Sequence, residues 1–205
     1  MHRAVILLAA ALGLAACQNS AEPVVPQDGI ATGSSEALQV EASAPVAAEP
    51  VAAPKIALDG EGLRFVVQTG TTRLIAFGTP RALIEKAAAA ALGSEGERGA
   101  LEECGAGPMQ FTTFAGLKLN FQDDEFLGWT AENDTKLTTM DGIGPGTRRS
   151  EVEAARTLTM TPDSTLGAEF SLGDPEQHAI GGFFESSDKA ASVASLHAGL
   201  TCFFR

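Results

Sequence analysis

Positive charge is scarce in this chain: 14 Lys and Arg stand against 26 Asp and Glu, for a formal net charge of −12. That balance repels a phosphate backbone and excludes nucleic acid as a partner. It also repels anionic lipid, so no basic patch can hold the protein on a membrane. Histidine and cysteine are few, three of each. His178 and His197 fall in no Cys/His ligand spacing, and there is neither a CxxC pair nor an EF-hand pattern, so no metal site is expected. The GK[ST] ending of a phosphate loop, the GxGxxG order and the GxSxG elbow are all missing. No catalytic residue and no cofactor are therefore expected. Long apolar runs are lacking as well. The greasy stretch at residues 4–16, AVILLAAALGLAA, falls short of the about 20 residues that a membrane-spanning helix needs.

What that stretch does have is a basic start, Met1-His2-Arg3, and an end at Leu14-Ala15-Ala16-Cys17. An apolar core of this length between a basic start and small residues reads as a signal peptide over residues 1–16. The ending closely resembles the lipobox of bacterial lipoprotein precursors, in which a branched residue and two small residues precede the cysteine. The resemblance implies that Cys17 receives a diacylglycerol, that the chain is cut before it and that the new amine is acylated. Each buried CH₂ is worth about 0.8 kcal/mol and one chain holds only marginally, so three chains anchor for good. Gln18 stands where Asp retains members of that family at the inner membrane. The expected address is thus the cell envelope, lipid-anchored, at the outer membrane rather than the inner.

Residues 18–54 hold no Lys, Arg, Phe or Trp and are rich in Ala, Pro, Val, Ser and Glu. Such a composition cannot bury enough surface to offset ordering entropy. With the lipidated Cys17 it reads as a tether, residues 17–54, which as a flexible coil spans roughly 35 Å. All eleven Phe and the single Trp129 lie beyond it, in residues 56–205, one domain's worth of chain. With Cys17 acylated, Cys104 and Cys202 remain as an even pair in an oxidising compartment, and a disulfide between them is expected. Its loop of nearly a hundred residues is worth about 4.7 kcal/mol in the chain-entropy model.

Within the domain, LRFVV (63–67) and TRLIAF (72–77) flank a turn and read as a hairpin. In FGTPRALIEKAAAAALG, Thr79 can cap, Pro80 suits the first helical position and Gly93 stops a helix whose apolar face holds Leu83, Ile84 and Leu92. GSEGERGALEE reads as a polar loop. LKLNF places Leu117, Leu119 and Phe121 on one side of a strand, and EFLGW returns after an acidic turn. LGAEFSL, HAIGGFFES and SLHAGLTCFFR read as further strands. KLTTMDGIGPGTRRSEVEAAR repeats the order strand, Gly-rich turn, Thr and helix seen in RLIAFGTPRALIEKAA. The expected fold is α+β, a mostly antiparallel sheet with helices on one face, built as a diverged tandem repeat over residues 63–130 and 136–205. GPGTRRSEVEAA is similar, over about a dozen residues, to the turn and helix of small outer-membrane-assembly lipoproteins, whose fold is like the tandem repeats of β-lactamase inhibitor protein. That resemblance implies fold class alone.

Several residues invite chemistry. Asp123-Asp124-Glu125 reads as a hairpin turn rather than a calcium site, and Gly142–Thr147 as a turn before a helix. Arg148 and Arg149 sit at a helix start, where the macrodipole disfavours cations, so the pair could receive an anionic group of a partner. Ser164 with His178 or His197 would be a nucleophile pair only if the fold joined them. CFFR puts Phe203 and Phe204 on opposite faces of a strand, one of them free to meet a partner. Together these features describe a non-catalytic envelope lipoprotein, a binding or scaffold module for another envelope component. An envelope hydrolase and a small-ligand carrier stay open. A deep pocket of converging titratable groups would favour the first, an enclosed apolar cavity the second, and a groove-like apolar patch the binding module.

The anchor is directly testable. Cys17→Ser is expected to move the protein from the membrane fraction to the soluble envelope fraction. Membrane association that survives this change, with no acyl mass on the wild-type chain, would show that Cys17 is not lipidated.

Overall fold

The computed structural model describes residues 52–132, 135–174 and 178–203. Chain order begins with two hairpins, β1 (Lys55–Asp59) to β2 (Gly62–Val66) to β3 (Thr72–Ala76), then the two-residue β4 (Thr79–Pro80) and the helix α1 (Arg81–Leu92). An antiparallel meander follows: β5 (Glu97–Leu101), β6 (Met109–Phe114), β7 (Leu117–Gln122) and β8 (Glu125–Glu132). After β9 (Thr138–Thr139) and the helix α2 (Arg149–Ala155) comes a second meander: β10 (Leu158–Met160), β11 (Ala168–Leu172), β12 (Ile180–Phe184) and β13 (Val193–Gly199).

The last strands of the two meanders, β8 and β13, pair antiparallel, with Thr130 opposite His197 and Trp129 opposite Ala198. One large sheet results, in the order β10-β11-β12-β13-β8-β7-β6-β5, with β4 joined to the start of β8. A smaller sheet runs β3-β2-β1-β9, in which only the β1–β9 contact is parallel. The fold is thus α+β and mostly antiparallel.

Alternation decides which side of the large sheet is buried, because successive strand residues face opposite ways. Leu117, Leu119 and Phe121 of β7, Phe126, Trp129 and Ala131 of β8 and Leu196 of β13 have no exposed surface. This inner side forms one core with Leu58, Leu63 and Phe65 of the small sheet, Ile84 and Ala88 of α1 and Val152 of α2. Both helices therefore feed the same core. Trp129 also fastens the two sheets: its indole N–H donates to the Asp59 carbonyl at 2.9 Å.

The structure revises four local expectations. Thr79 pairs with Phe126 in β4 and caps nothing; Pro80, with ψ at 134°, stands just before the helix. Gly93 does end α1, in the left-handed conformation, its N–H bonded to the Ala89 carbonyl. Leu83 is 59% exposed, because the sheet side of α1 is set by Ile84 and Ala88, four residues apart. Residues 97–101, read as loop, form β5, where Gly99 lies under the Phe111 ring. Finally, β13 stops at Gly199 instead of running on to the last residues.

The most instructive helix residue is Glu85, an acid that is buried. Its carboxylate accepts from Arg81 of the same helix at 2.8 Å, from Arg98 of β5 and from the Thr112 hydroxyl of β6. Arg81 in turn reaches Gln110 and Thr112, and its guanidinium lies 4.6 Å from the Phe121 ring centre. Burial pushes the Glu85 carboxyl up, but the bonds from Arg98, Thr112 and Arg81 outweigh it and hold the group below its ordinary value. One carboxylate thus fixes α1 to two strands. Glu85→Ala leaves Arg81 without its counter-ion and is expected to cost about 2–3 kcal/mol, less than a fully buried pair because Arg98 is largely exposed. Urea melts should show a lowered midpoint with unchanged slope; a loss below about 0.5 kcal/mol would mean that water already screens the cluster.

Candidate functional site

Residues that alternate with the core ones form the outer side of the large sheet. Lys118, Thr130, His197 and Gly181 stand directly opposite one another across β7, β8, β13 and β12. Gly181 is needed there: a Cβ would lie 2.3 Å from His197 Nε2, so the imidazole rests where a side chain would be. Phe183 stacks on that ring at 5.5 Å between centres, and Phe203 meets it edge-on at 4.8 Å.

Phe203 reaches this position because the chain turns back after β13. Gly199, at φ 70°, ends the strand. The Leu200 N–H donates to the Leu127 carbonyl at 2.7 Å, and the Leu200 carbonyl accepts from Asn120 Nδ2 at 3.1 Å. Gly128 lets the backbone come this close, since a Cβ there would sit 2.1 Å from the Leu200 oxygen. Residues 200–203 thereby form a strap over the outer side of the sheet. Cys202 lies at disulfide distance from Cys104, with the α-carbons 5.7 Å apart, so the strap is clasped to the β5–β6 loop.

Between the strap and the sheet lies a half-enclosed cavity of about 240 Å³. Its walls are apolar, from Leu101, Met109, Phe111 and Phe203, and its floor is polar, from Asn120 and Thr130. Lys118 and Glu132 stand at its rim. A wider cleft of about 610 Å³ between α1 and β5–β6 includes Glu85 and Arg98, which already satisfy each other. A third, of about 450 Å³, is a groove between the β3 edge and α1, lined by Leu74, Ile75, Pro80, Leu83 and Ala87.

The residues singled out in the sequence are placed as follows. Cys17 and Phe204 lie outside the described residues. Arg148 is exposed at the start of α2, its N–H donating to Glu151 at 3.1 Å. Arg149 bonds Glu153 at 2.9 Å and lies 5.4 Å over the Phe184 ring, with its side chain 15% exposed. Asp123 and Asp124 form the β7–β8 turn at positive φ, and no group of His, Cys, Asp and Glu among the described residues is arranged to hold a metal ion. Ser164 donates to Glu169 at 2.6 Å, while His178 faces Glu61 at 3.5 Å, so no Ser–His pair is assembled. Sequence reasoning passed over Lys118, Asn120 and Thr130. Their polar character between buried neighbours signals a solvent-facing side, and only the returning strap makes it a cavity.

His197 gives the site a measurable signature. Its Nδ1 is enclosed and has no hydrogen-bond partner. Burial pushes the imidazole down from 6.5 to about 4, against an opposing pull from Glu169. Between those values the unfolded chain takes up a proton that the folded one refuses, so stability is lost as pH falls from 6.5 towards 4. The shift corresponds to roughly 3 kcal/mol. His197→Gln is expected to flatten this part of the stability–pH curve. An unchanged slope in the variant would show that His197 is free to protonate in the folded protein.

Set against protein-family models, curated proteins and solved structures, the chain matches none of the three, and its function has to be argued from these surfaces.

Proposed function

We propose that this protein is a non-catalytic, lipid-anchored envelope protein, sorted to the outer membrane, whose domain binds an extended segment of another envelope protein along the free edge of β3. The observation that carries the reading is the groove beside that edge. Among the described residues β3 is hydrogen-bonded on one side only, to β2. Its open side borders Pro80, Leu83 and Ala87 of the α1 segment, and Leu83 is the most exposed large apolar side chain among the described residues. A strand edge offers unpaired N–H and C=O groups to an incoming chain, and neighbouring apolar pockets add selectivity for its side chains. The lipobox-like ending at Cys17 and the tether that follows would carry such a surface to a partner at the membrane. The matching order of helix and four-strand meander in the two halves supports a diverged tandem repeat as the origin of the domain.

A photo-cross-linker placed at Arg73, an exposed residue of the groove, tests this in intact envelopes. The expected result is one discrete protein adduct that disappears when Leu83→Glu is added, with the melting temperature unchanged. No adduct, or an adduct indifferent to Leu83→Glu, would rule this groove out as the contact.

A further inference from the structure

We propose that the cavity under the strap binds a small zwitterion with an apolar side chain, of the chemical class of a free α-amino acid. The inference goes beyond the partner reading and rests on a different surface.

Three features of the cavity converge. Its floor holds two polar side chains from strands that are themselves buried: Asn120 is 4% exposed and Thr130 is 7% exposed. Asn120 donates one of its two amide N–H groups to the Leu200 carbonyl. Among the described residues its carbonyl oxygen and the Thr130 hydroxyl have no partner, yet His197 Nδ1 is the sole side-chain polar atom both enclosed and unpaired. The other two therefore open into the cavity they line, where a ligand can satisfy them.

The second feature is charge. Lys118 of β7 stands opposite Thr130 of β8, and Glu132 lies two residues further along β8 on the same side of the sheet. They are diagonal neighbours of opposite sign, yet they form no ion pair; Lys118 leans over Phe111 instead, 5.5 Å from the ring centre. A cation and an anion held at one rim without neutralising each other complement a ligand that carries both charges: a carboxylate for Lys118 and an ammonium for Glu132.

Third, the walls are apolar. Leu101, Met109, Phe111 and Phe203 enclose the space behind that rim, and a cavity of about 240 Å³ has room for a metabolite rather than a peptide. The strap supplies Phe203, so the wall stands in place because Cys202 is clasped to Cys104.

Calorimetric titration of the purified full-length protein with L-phenylalanine and L-leucine tests the proposal. N-acetyl-L-phenylalanine, which lacks the ammonium, and L-phenylalaninamide, which lacks the carboxylate, are the controls. Saturable one-to-one binding of the amino acids is expected, with each control weaker by about tenfold or more. Lys118→Met and Glu132→Gln alter side chains at the rim, so the protein should stay folded. Each is expected to weaken the amino acids about tenfold, Lys118→Met without affecting L-phenylalaninamide and Glu132→Gln without affecting N-acetyl-L-phenylalanine. Absence of saturable binding by either amino acid, equal binding of the controls, or binding indifferent to both substitutions would overturn the proposal. None of these results bears on the β3 groove, and loss of the Arg73 adduct would leave this cavity untouched.

Discussion

Strand β8 is the constraint on which both sides of the large sheet depend. It holds β7 on one edge and β13 on the other, with β4 joined near its start. Its inward residues Phe126, Trp129 and Ala131 are completely buried in the core that the two sheets share, and the indole of Trp129 adds a hydrogen bond between them. Its outward residues are Gly128, Thr130 and Glu132, which in turn admit the strap, floor the cavity and mark its rim. The register shifts at Leu127, which lets Phe126 and Gly128 face opposite ways; from Gly128 to Glu132 side chains alternate with a period of two, so these assignments cannot vary independently. A one-residue slip of β8 against β13 would turn Trp129 outward and destroy core and cavity together.

Around that strand the protein offers two surfaces built on different physics. The β3 groove presents backbone groups at a free sheet edge, beside an exposed leucine. Recognition there would be general in hydrogen bonding and selective through one or two apolar pockets. The cavity under the strap presents only side chains, a few of them polar and buried, so its selectivity would rest on matching individual atoms. Glu85 shows the contrast from within the core. Its bonds to Arg81, Arg98 and Thr112 hold α1 against β5 and β6.

Much of the fold could be read from the sequence wherever local chemistry and burial agree. LKLNF alternates because one side of β7 meets the core, and Leu117, Leu119 and Phe121 are indeed its buried residues. Gly93 ends α1 because a left-handed residue was needed there. Cys104 and Cys202, the two cysteines of the domain, come together at disulfide distance. The parts that stayed hidden depend on partners far along the chain. Glu85 looks like an ordinary exposed helix acid until Arg98 and Thr112, 13 and 27 residues away, are brought to it. Asn120 and Thr130 look like surface residues until the chain returns across Gly128. Leu83 looks like core because composition alone cannot set the angular phase of an alanine-rich helix. No periodicity within a short window carries that information.

The clasp also has a consequence in time. Cys104 and Cys202 are 98 residues apart, and every strand from β6 to β13 lies between them. A chain made from its N-terminus exposes Cys104 long before Cys202 exists, and closing so long a loop carries an entropic cost unless the intervening strands have already drawn its ends together. The β8–β13 pairing draws them together, because Leu200 and Cys202 directly follow β13. Closure of the bond therefore belongs after assembly of the large sheet: a chain stalled halfway still carries Cys104 as a free thiol, and a finished one does not.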